Sequence, residues 1–326
     1  MKKIIVVLFY ISCLFVLLDG CSRERFDKGH DYSPIAFFDS CQEYDFNIQS
    51  LPYEEMPNTK VSLEIATDTA FPRDEEGVRL YEHNGQYYYH PVSMCHTAIN
   101  ILDAYYTTGD SKWLHLAEKY VHRLVAEADV IDSTLYYPYN FEHKVHQRDD
   151  ALLPNPWYSG MAEGVALRLL VRVFEATGDS TYLDYANKTF RSFLRLKGEA
   201  EPWTVFVDSC GCYWAEEYTL PEPSMTLNGF IAAIYGLYEY NQLVHSEESE
   251  RILKISLGTV KNYVPLFRRP GKPSLYNIRF RHYAADYHGL HIEMLRYLEK
   301  MTADSFFGAW ADTFYIDYHD STDSHK

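Results

Sequence analysis

Three stretches of this chain share one layout, and that layout restricts the possible folds more than any other feature. Tyr106-TTGDSKWLHLAEKY, Glu175-ATGDSTYLDYANKTF and Lys300-MTADSFFGAWADTF each put a small residue, Gly109, Gly178 or Ala303, where a helix should end. Asp-Ser follows, then an aromatic (Trp113, Tyr182, Phe307) and, four residues on, an alanine (Ala117, Ala186, Ala311). A small residue suits the closing turn of a helix, and the Asp or Ser after it suits the N-cap of the next. The unit is therefore a helical hairpin with a tight turn. Helices are expected near 92–107 and 111–126, 159–177 and 180–195, 224–242 and 247–264, and 287–301 and 304–316, which makes four αα pairs.

The connections between pairs, about 127–158, 196–223 and 265–286, are long. Each alternates aromatic and polar residues (STLYYPYNF, EPWTVFVDSCGCYW, SLYNIRFRHY), a pattern expected of β-hairpins. Upstream, Asn84-Gly85 between two β-prone runs in GVRLYEHNGQYYYHP is a further hairpin signal. In a stack of helical hairpins the short turns gather at one end and the long loops at the other, and long ordered loops are usually functional. Glu217, Tyr218, Tyr276 and the basic segment described below should then meet at one mouth.

Residues 1–20 read as an export signal: Lys2-Lys3, then an apolar run from Ile4 to Leu18 that is short for a membrane span. Leu18-Asp19-Gly20-Cys21 resembles a bacterial lipoprotein processing site, which would make Cys21 the lipidated first residue, anchor the protein to a membrane and place it in the cell envelope, outside the cytoplasm. A simple secretory signal is the alternative. Residues 21–70 read as a tether followed by extended structure, 71–90 as the β-hairpin and 91–326 as the helical domain. Export permits disulfides among Cys41, Cys95, Cys210 and Cys212, but Cys210-Gly211-Cys212 is too tight to assume a mutual bridge, and connectivity is open.

The formal charge of −16 is unevenly spread. From Arg251 to Ala285 there is no acid but eight bases: Arg251, Lys254, Lys261, Arg268, Arg269, Lys272, Arg279 and Arg281. Such a segment suits either a local anion-binding surface or compensation of neighbouring acidic helices. Nucleic acid is a poor fit, because no recognition motif is present and the compartment is wrong.

The chemistry concentrates in YWAEEYTLPEPSMTLNGFIAAIYGLYEY, Tyr213–Tyr240. Pro221 and Pro223 break regular structure after Glu216-Glu217-Tyr218, and the run from Leu227 is apolar almost all round, as a buried helix is. An acid–tyrosine pair on a rigid loop before a buried helix suits catalysis, although an ordinary acidic turn has the same residues. His288, His291 and Glu293 invite a metal reading, but HGLHIE is not HExxH and lacks a third ligand, so an oriented histidine pair near the site is preferred and no metal or cofactor is expected. Trp157-Tyr158 is placed either to stack on a sugar or to seal a helix start, and Gly160 and Gly164 to let helices approach closely.

Four motifs in order, NPWYSGMAEGVALRLLVRVFEATGD, AEEYTLPEPSMTLNGFIAAIYGLYEY, SLYNIRFRH and DYHGLHIEMLRYL, resemble the catalytic helical domain of D-glucuronyl C5-epimerases, from about Tyr88 to Tyr318. The resemblance implies a mainly α fold, an incomplete (α/α) toroid of about four helical hairpins with β-hairpin insertions and a short N-terminal β segment. It implies inversion of C5 of D-glucuronate to L-iduronate in a heparan-type polysaccharide, with the family's glutamate–tyrosine pair at Glu217-Tyr218 and its further tyrosines at Tyr276 and Tyr287. Asn277 and Thr219 stand where the family carries an acid and a proline.

The chemistry requires such residues. C5–H lies α to a carboxylate, so its removal builds charge on a group already anionic, and positioned donors must stabilise the enolate-like intermediate. One base and one acid must work on opposite faces of C5. Glu217 is the natural base and Tyr287 the acid, with Tyr218 or Tyr276 positioning the ring or sharing that role. Arg279, Arg281 or His282 would hold the carboxylate, and Trp157, Tyr158, Asn228 and His288 complete the expected contacts with a uronate-containing polysaccharide. A polysaccharide lyase or glycoside hydrolase, or a non-catalytic glycan-binding lipoprotein, stays open beside the epimerase, and oligomeric state is not legible.

Overall fold

The computed structural model describes residues 44–57 and 70–319; the export segment, Cys21 and Cys41 lie outside the described residues. Among the described residues, eight α-helices pair in sequence: α1 Pro91–Thr108 with α2 Ser111–Ala126, α3 Gly160–Thr177 with α4 Ser180–Phe190, α5 Leu227–Val244 with α6 Glu247–Tyr263, and α7 Ala285–Thr302 with α8 Ser305–Asp317. Each of the four expected pairs is present, and together they form an incomplete (α/α) toroid.

The turns form for the reasons their residues suggest. Helix α1 closes on Gly109 at φ 68°, whose N–H bonds Tyr105 O, and the Asp110 carboxylate then accepts from Lys112 N to cap α2. Gly178 (φ 71°) with Asp179 repeats this between α3 and α4, and Ala303 (φ 52°) with Asp304 between α7 and α8. The third pair lacks the motif and uses His245 at φ 48° with Ser246 as the cap. Helix α5 starts at Leu227, later than expected, because Ser224 and Met225 bind the Glu216 carboxylate instead of entering the helix.

Four two-stranded hairpins sit outside the helices among the described residues: β1 Tyr81–His83 with β2 Gln86–Tyr88, β3 Asp129–Ile131 with β4 Thr134–Tyr136, β5 His143–Lys144 with β6 Leu152–Leu153, and β7 Val205–Val207 with β8 Tyr213–Ala215. Asn84 (φ 52°) and Gly85 (φ 75°) make the β1–β2 turn. The expected hairpin at SLYNIRFRHY does not form. Leu275, Tyr276, Asn277 and Ile278 are all buried in succession, so the run has no solvent face. Tyr276 N instead bonds His282 O across a loop, the Asn277 side chain accepts from Phe280 N, and Thr226 bridges Asn277. Cys210 is disulfide-bonded while Cys95 and Cys212 are buried and take part in no disulfide, so the Cys-Gly-Cys segment does not bridge itself.

Helices α3 and α5 form the centre, and α5 is buried from Leu227 to Asn241. They cross where neither carries a side chain: a Cβ on Gly236 would lie 2.0 Å from Gly164 O, and one on Gly164 would lie 2.3 Å from Ala233 Cα. Gly236→Ala is therefore expected to destabilise the fold by about 1–3 kcal/mol through overpacking, against helix propensity, which favours Ala; urea titration checks this. The described part of the N-terminal segment is docked: Phe46 is buried, Gln49 bonds Met301 O, and the Tyr238 hydroxyl donates to Gln49 O.

A buried ionic cluster ties these parts together. Glu239 of α5 takes Arg168 Nε at 2.7 Å on one oxygen and Arg172 Nε at 2.7 Å on the other, both arginines being on α3. Asp103 of α1 stands 3.7 Å from Arg172 and accepts from the Tyr53 hydroxyl at 2.5 Å, and Arg168 Nη2 donates to Pro57 O.

Candidate active site

A cavity of about 310 Å³ opens at one end of the toroid, within the size range of small-molecule sites. The first helix of each hairpin contributes from its first ten residues: His96 from α1, Arg168 from α3, Asn228 and Tyr235 from α5, and Tyr287 and Met294 from α7. On each helix the lining residues recur at spacings of three or four, one inward face of the helix. The long connections supply the rim, with Tyr139, Phe141, His143, Trp157, Glu217 and Tyr218.

The two adjacent glutamates have separate tasks. Glu216 is a strut: its oxygens accept from Ser224 Oγ at 2.7 Å and Met225 N at 3.0 Å, folding the Pro221–Pro223 loop back on itself. Its backbone also pairs with Gly160 N and Thr204 O, and a Cβ on Gly160 would lie 2.9 Å from Glu216 N. Glu217 faces the cavity. Its Oε1 accepts from the Tyr276 hydroxyl at 2.8 Å, and its Oε2 is buried with no partner among the described residues. Gly229 makes room for it, since a Cβ there would lie 2.2 Å from Oε2.

Burial raises the Glu217 pKa to about 7, against hydrogen bonds from Tyr276 and Tyr218 that lower it; the nearby Glu216 charge adds to the rise. The tyrosines form a cluster around it. Tyr218 and Tyr276 share a hydrogen bond of 3.2 Å, and the Tyr287 ring meets the Tyr276 ring edge-on at 4.8 Å between centroids. Burial, then the Glu217 charge, holds the Tyr218 and Tyr276 hydroxyls well above their ordinary pKa, so both are donors at neutral pH. Tyr287, 38% exposed, stands at the mouth, and burial also raises its pKa.

One wall is aromatic. Trp157 stacks on Tyr139 at 3.8 Å with 9° between planes and donates from Nε1 to Phe141 O. His143 lies between Trp157 and Tyr218, 5.8 Å from each ring. Such a wall suits the apolar face of a pyranose ring. Burial lowers the pKa of His90 and of His96 to about 4 each, so these rings line the cavity uncharged at neutral pH.

Of the residues expected at the site, Glu217, Tyr218, Tyr287, Trp157 and Asn228 line the cavity, and Tyr276 backs it through its bond to Glu217. Tyr158, Arg279, Arg281, His282 and His288 do not belong to this lining. Tyr158 turns outward to Asp129 at 2.7 Å. Arg279 is committed to Glu222 at 2.9 Å and to its carbonyl, and Arg281 is exposed in the turn that closes the 276–282 loop. His282 stacks on His146 at 3.8 Å. His288 has both ring nitrogens engaged, Nδ1 accepting from Ser274 N at 2.9 Å and Nε2 donating to the carbonyls of Phe314 and Tyr318, so it pins α8 to the 267–276 loop.

The basic segment follows the compensation reading at four of its eight bases: Lys254 pairs with Glu250, Lys261 with Asp304, Arg268 with Asp317 and Arg279 with Glu222. Sequence reasoning passed over His90, His96, Tyr139, His143, Arg168 and Tyr235. Arg168 had a signal, being a charge inside the apolar run Val165-Ala166-Leu167-Arg168-Leu169-Leu170; the aromatic and histidine positions had none beyond composition.

The family described as D-glucuronyl C5-epimerase C-terminus matches residues 131–315. A D-glucuronyl C5-epimerase of Caenorhabditis elegans is 28% identical over 182 residues, 49% of this chain and 29% of that protein. An uncharacterised protein of Methanocaldococcus jannaschii is 26% identical over 185 residues, 56% of this chain and 58% of that one. The match therefore spans less than two thirds of the length of either relative. Among solved structures, a D-mannose isomerase superposes with a TM-score of 0.51 at 12% identity, covering 82% of this chain and 71% of that one, a likeness of fold.

Proposed function

The chain belongs to the D-glucuronyl C5-epimerase family through its helical domain, and on that premise we propose that it inverts C5 of a uronate residue within a polysaccharide. The observation that carries this reading is the Glu217 carboxylate: buried, with one unpartnered oxygen, a pKa near neutrality and a cluster of three tyrosines beside it. A strong base is needed only where a weakly acidic proton must be removed, and a pKa near the working pH combines basicity with availability.

Glu217 takes the C5 proton, and the electron pair moves into the carboxylate to give an enolate-like dianion. Tyr287 returns a proton to the opposite face, forming the new C5–H bond and leaving a tyrosinate. The dianion is a far stronger base than tyrosinate, so a tyrosine with a raised pKa is acid enough. Glu217 then releases its proton to solvent, and the tyrosinate, exposed at the mouth, takes one back from solvent, which closes the cycle and brings solvent hydrogen to C5. The proposal extends to location: lipid at Cys21 would hold the enzyme in the cell envelope beside its polymer.

Incubation with glucuronate-containing polysaccharide in deuterated water, followed by NMR, tests the reaction. Deuterium at C5 of both epimers without chain shortening is expected. An unsaturated uronate at a new non-reducing end would indicate a lyase, and new reducing ends without unsaturation a hydrolase.

The rate should depend on pH through Glu217. Its base form appears as pH rises through about 7, so kcat/KM should climb over that interval. Tyr276→Phe removes a hydrogen bond that lowers this pKa and should move the limb to higher pH. A limb unchanged in that variant would detach it from Glu217.

A further inference from the structure

We propose that His146 is a positioning residue for the proton-transfer site: as a neutral imidazole it accepts a hydrogen bond from Asn277, clasps the turn between β5 and β6 to the 274–283 loop, and so holds the Tyr276 hydroxyl on Glu217. The inference rests on the reading of Glu217 as the base, and it adds a residue outside the cavity that tunes that base.

The backbone is strained to place this ring. His146 lies at φ 53°, ψ 30° and Gln147 at φ 59°, two successive left-handed positions in residues other than glycine. Such a conformation persists only where the surrounding contacts over-determine it. The His146 ring stacks on His282 at 3.8 Å with 23° between planes, and it meets Tyr276 edge-on at 5.5 Å and Phe280 at 5.8 Å. Tyr218 stands 6.4 Å away, also edge-on. Strands β5 and β6 have two residues each, so their own ladder does little to hold the turn in place.

The direction of the bond follows from Asn277. That side chain is fully buried, and its Oδ1 accepts from Phe280 N at 3.1 Å. The amide nitrogen therefore faces His146 Nε2, at 2.5 Å. An amide nitrogen only donates, so Nε2 is the bare nitrogen and Nδ1 carries the proton. A protonated ring would set donor against donor. Burial, then repulsion from His282, His143 and Arg148, lowers the His146 pKa to about 4. The other titratable groups against the ring, the Tyr276 and Tyr218 hydroxyls, are held neutral. The clasp is thus closed over the interval in which Glu217 changes state.

The link to the base is short. Asn277 follows Tyr276, whose N–H bonds the carbonyl of His282 at 2.7 Å and whose hydroxyl donates to Glu217 Oε1 at 2.8 Å. Both ends of the 276–282 loop are therefore held by one imidazole, Asn277 by hydrogen bond and His282 by stacking. The Tyr276 bond lowers the Glu217 pKa, so loosening the clasp should raise it.

The test follows the Glu217 carboxyl by NMR in protein labelled with carbon-13 glutamate, without substrate, the signal being assigned by its loss in Glu217→Gln. His146→Phe keeps a ring against Tyr276 but removes the acceptor, which leaves the Asn277 amide buried and unpaired. It should raise the Glu217 midpoint by about half a pH unit or more and carry the kcat/KM limb with it. In His146→Gln the amide oxygen reaches the place of Nε2, and this variant should return the midpoint to the wild-type value. The nitrogen-15 spectrum of the wild-type imidazoles needs no variant. His146, assigned through its contact with the Asn277 amide, should keep Nε2 bare and Nδ1 protonated from about pH 8 down to about pH 5.

A proton on Nε2 in that range overturns the clasp, whether or not the variants fold. A midpoint unmoved in folded His146→Phe, or moved as far in His146→Gln, overturns it as well, since His146 would then be a packing residue only. The reaction is read separately. A wild type that exchanges C5 hydrogen while the Glu217 midpoint ignores His146 refutes the clasp alone. One that shows the expected tautomer and midpoints but exchanges nothing upholds the clasp and refutes the epimerase.

Discussion

Glu217→Gln is expected to lower the rate of C5 hydrogen exchange by about 10²–10⁴-fold, the usual contribution of a positioned general base, with substrate binding nearly intact. Glutamine keeps the shape and can still accept from the Tyr276 hydroxyl, so what disappears is the base alone. Folding should not explain the loss. A carboxyl whose pKa is raised from 4.5 to about 7 in the folded protein binds its proton more tightly there than in the unfolded chain. The stability this provides is complete below the unfolded value and is lost as pH rises through about 7, a difference of roughly 3 kcal/mol. At pH 8 the wild type therefore carries a destabilising charge that the variant lacks, and the variant should unfold no earlier in urea. Tyr287→Phe divides the reaction differently. It keeps the base, so it should still exchange the glucuronate form to some degree while producing no iduronate. Near-normal iduronate from Tyr287→Phe would remove Tyr287 from its role, and near-normal exchange from Glu217→Gln would remove Glu217.

The helical hairpins were legible because each turn carries its own local chemistry. Gly109-Asp110 and Gly178-Asp179 end one helix and cap the next with atoms no more than four residues apart, so nothing distant is needed to read them. The 274–283 loop was misread for the opposite reason. Its alternation suggested one wet and one dry face, but partners distant in sequence, Ser224–Thr226 and His146, bury consecutive residues on both sides. Glu217 was legible as a candidate site residue, yet its difference from Glu216 was not. That difference depends on Ser224 and Met225 folding back onto one carboxylate and on Gly229 leaving space for the other. The sequence could not decide between the two readings of the basic segment, because charge counted along the chain ignores which acids approach in space, such as Asp304, Asp317 and Glu222. Arg168, Arg172 and Glu239 were passed over although they carry a signal: charges at these positions of otherwise apolar helices must be paired within the core.

That pairing predicts the largest loss of stability in the molecule. Glu239→Ala should cost about 3–5 kcal/mol, because it leaves Arg168 and Arg172, each 1% exposed, without the carboxylate they share. Asp103 does not replace it. It lies 3.7 Å from Arg172 and already takes the Tyr53 hydroxyl, and Arg172 Nη1 has no hydrogen bond even in the intact cluster. Burial alone would raise the pKa of Glu239, but the charges of Arg172 and Arg168 outweigh it and hold the group below the usual glutamate range. A depressed folded pKa contributes stability above the unfolded value that is lost as pH falls through the folded one. The gap between wild type and Glu239→Ala should therefore be full at pH 7 and shrink in acid, when urea titrations at the two conditions are compared. Glu239→Gln keeps acceptor and shape but not charge, and should fall between them. A gap independent of pH would mean that the cavity left by the side chain, and not the stranded arginines, sets the cost.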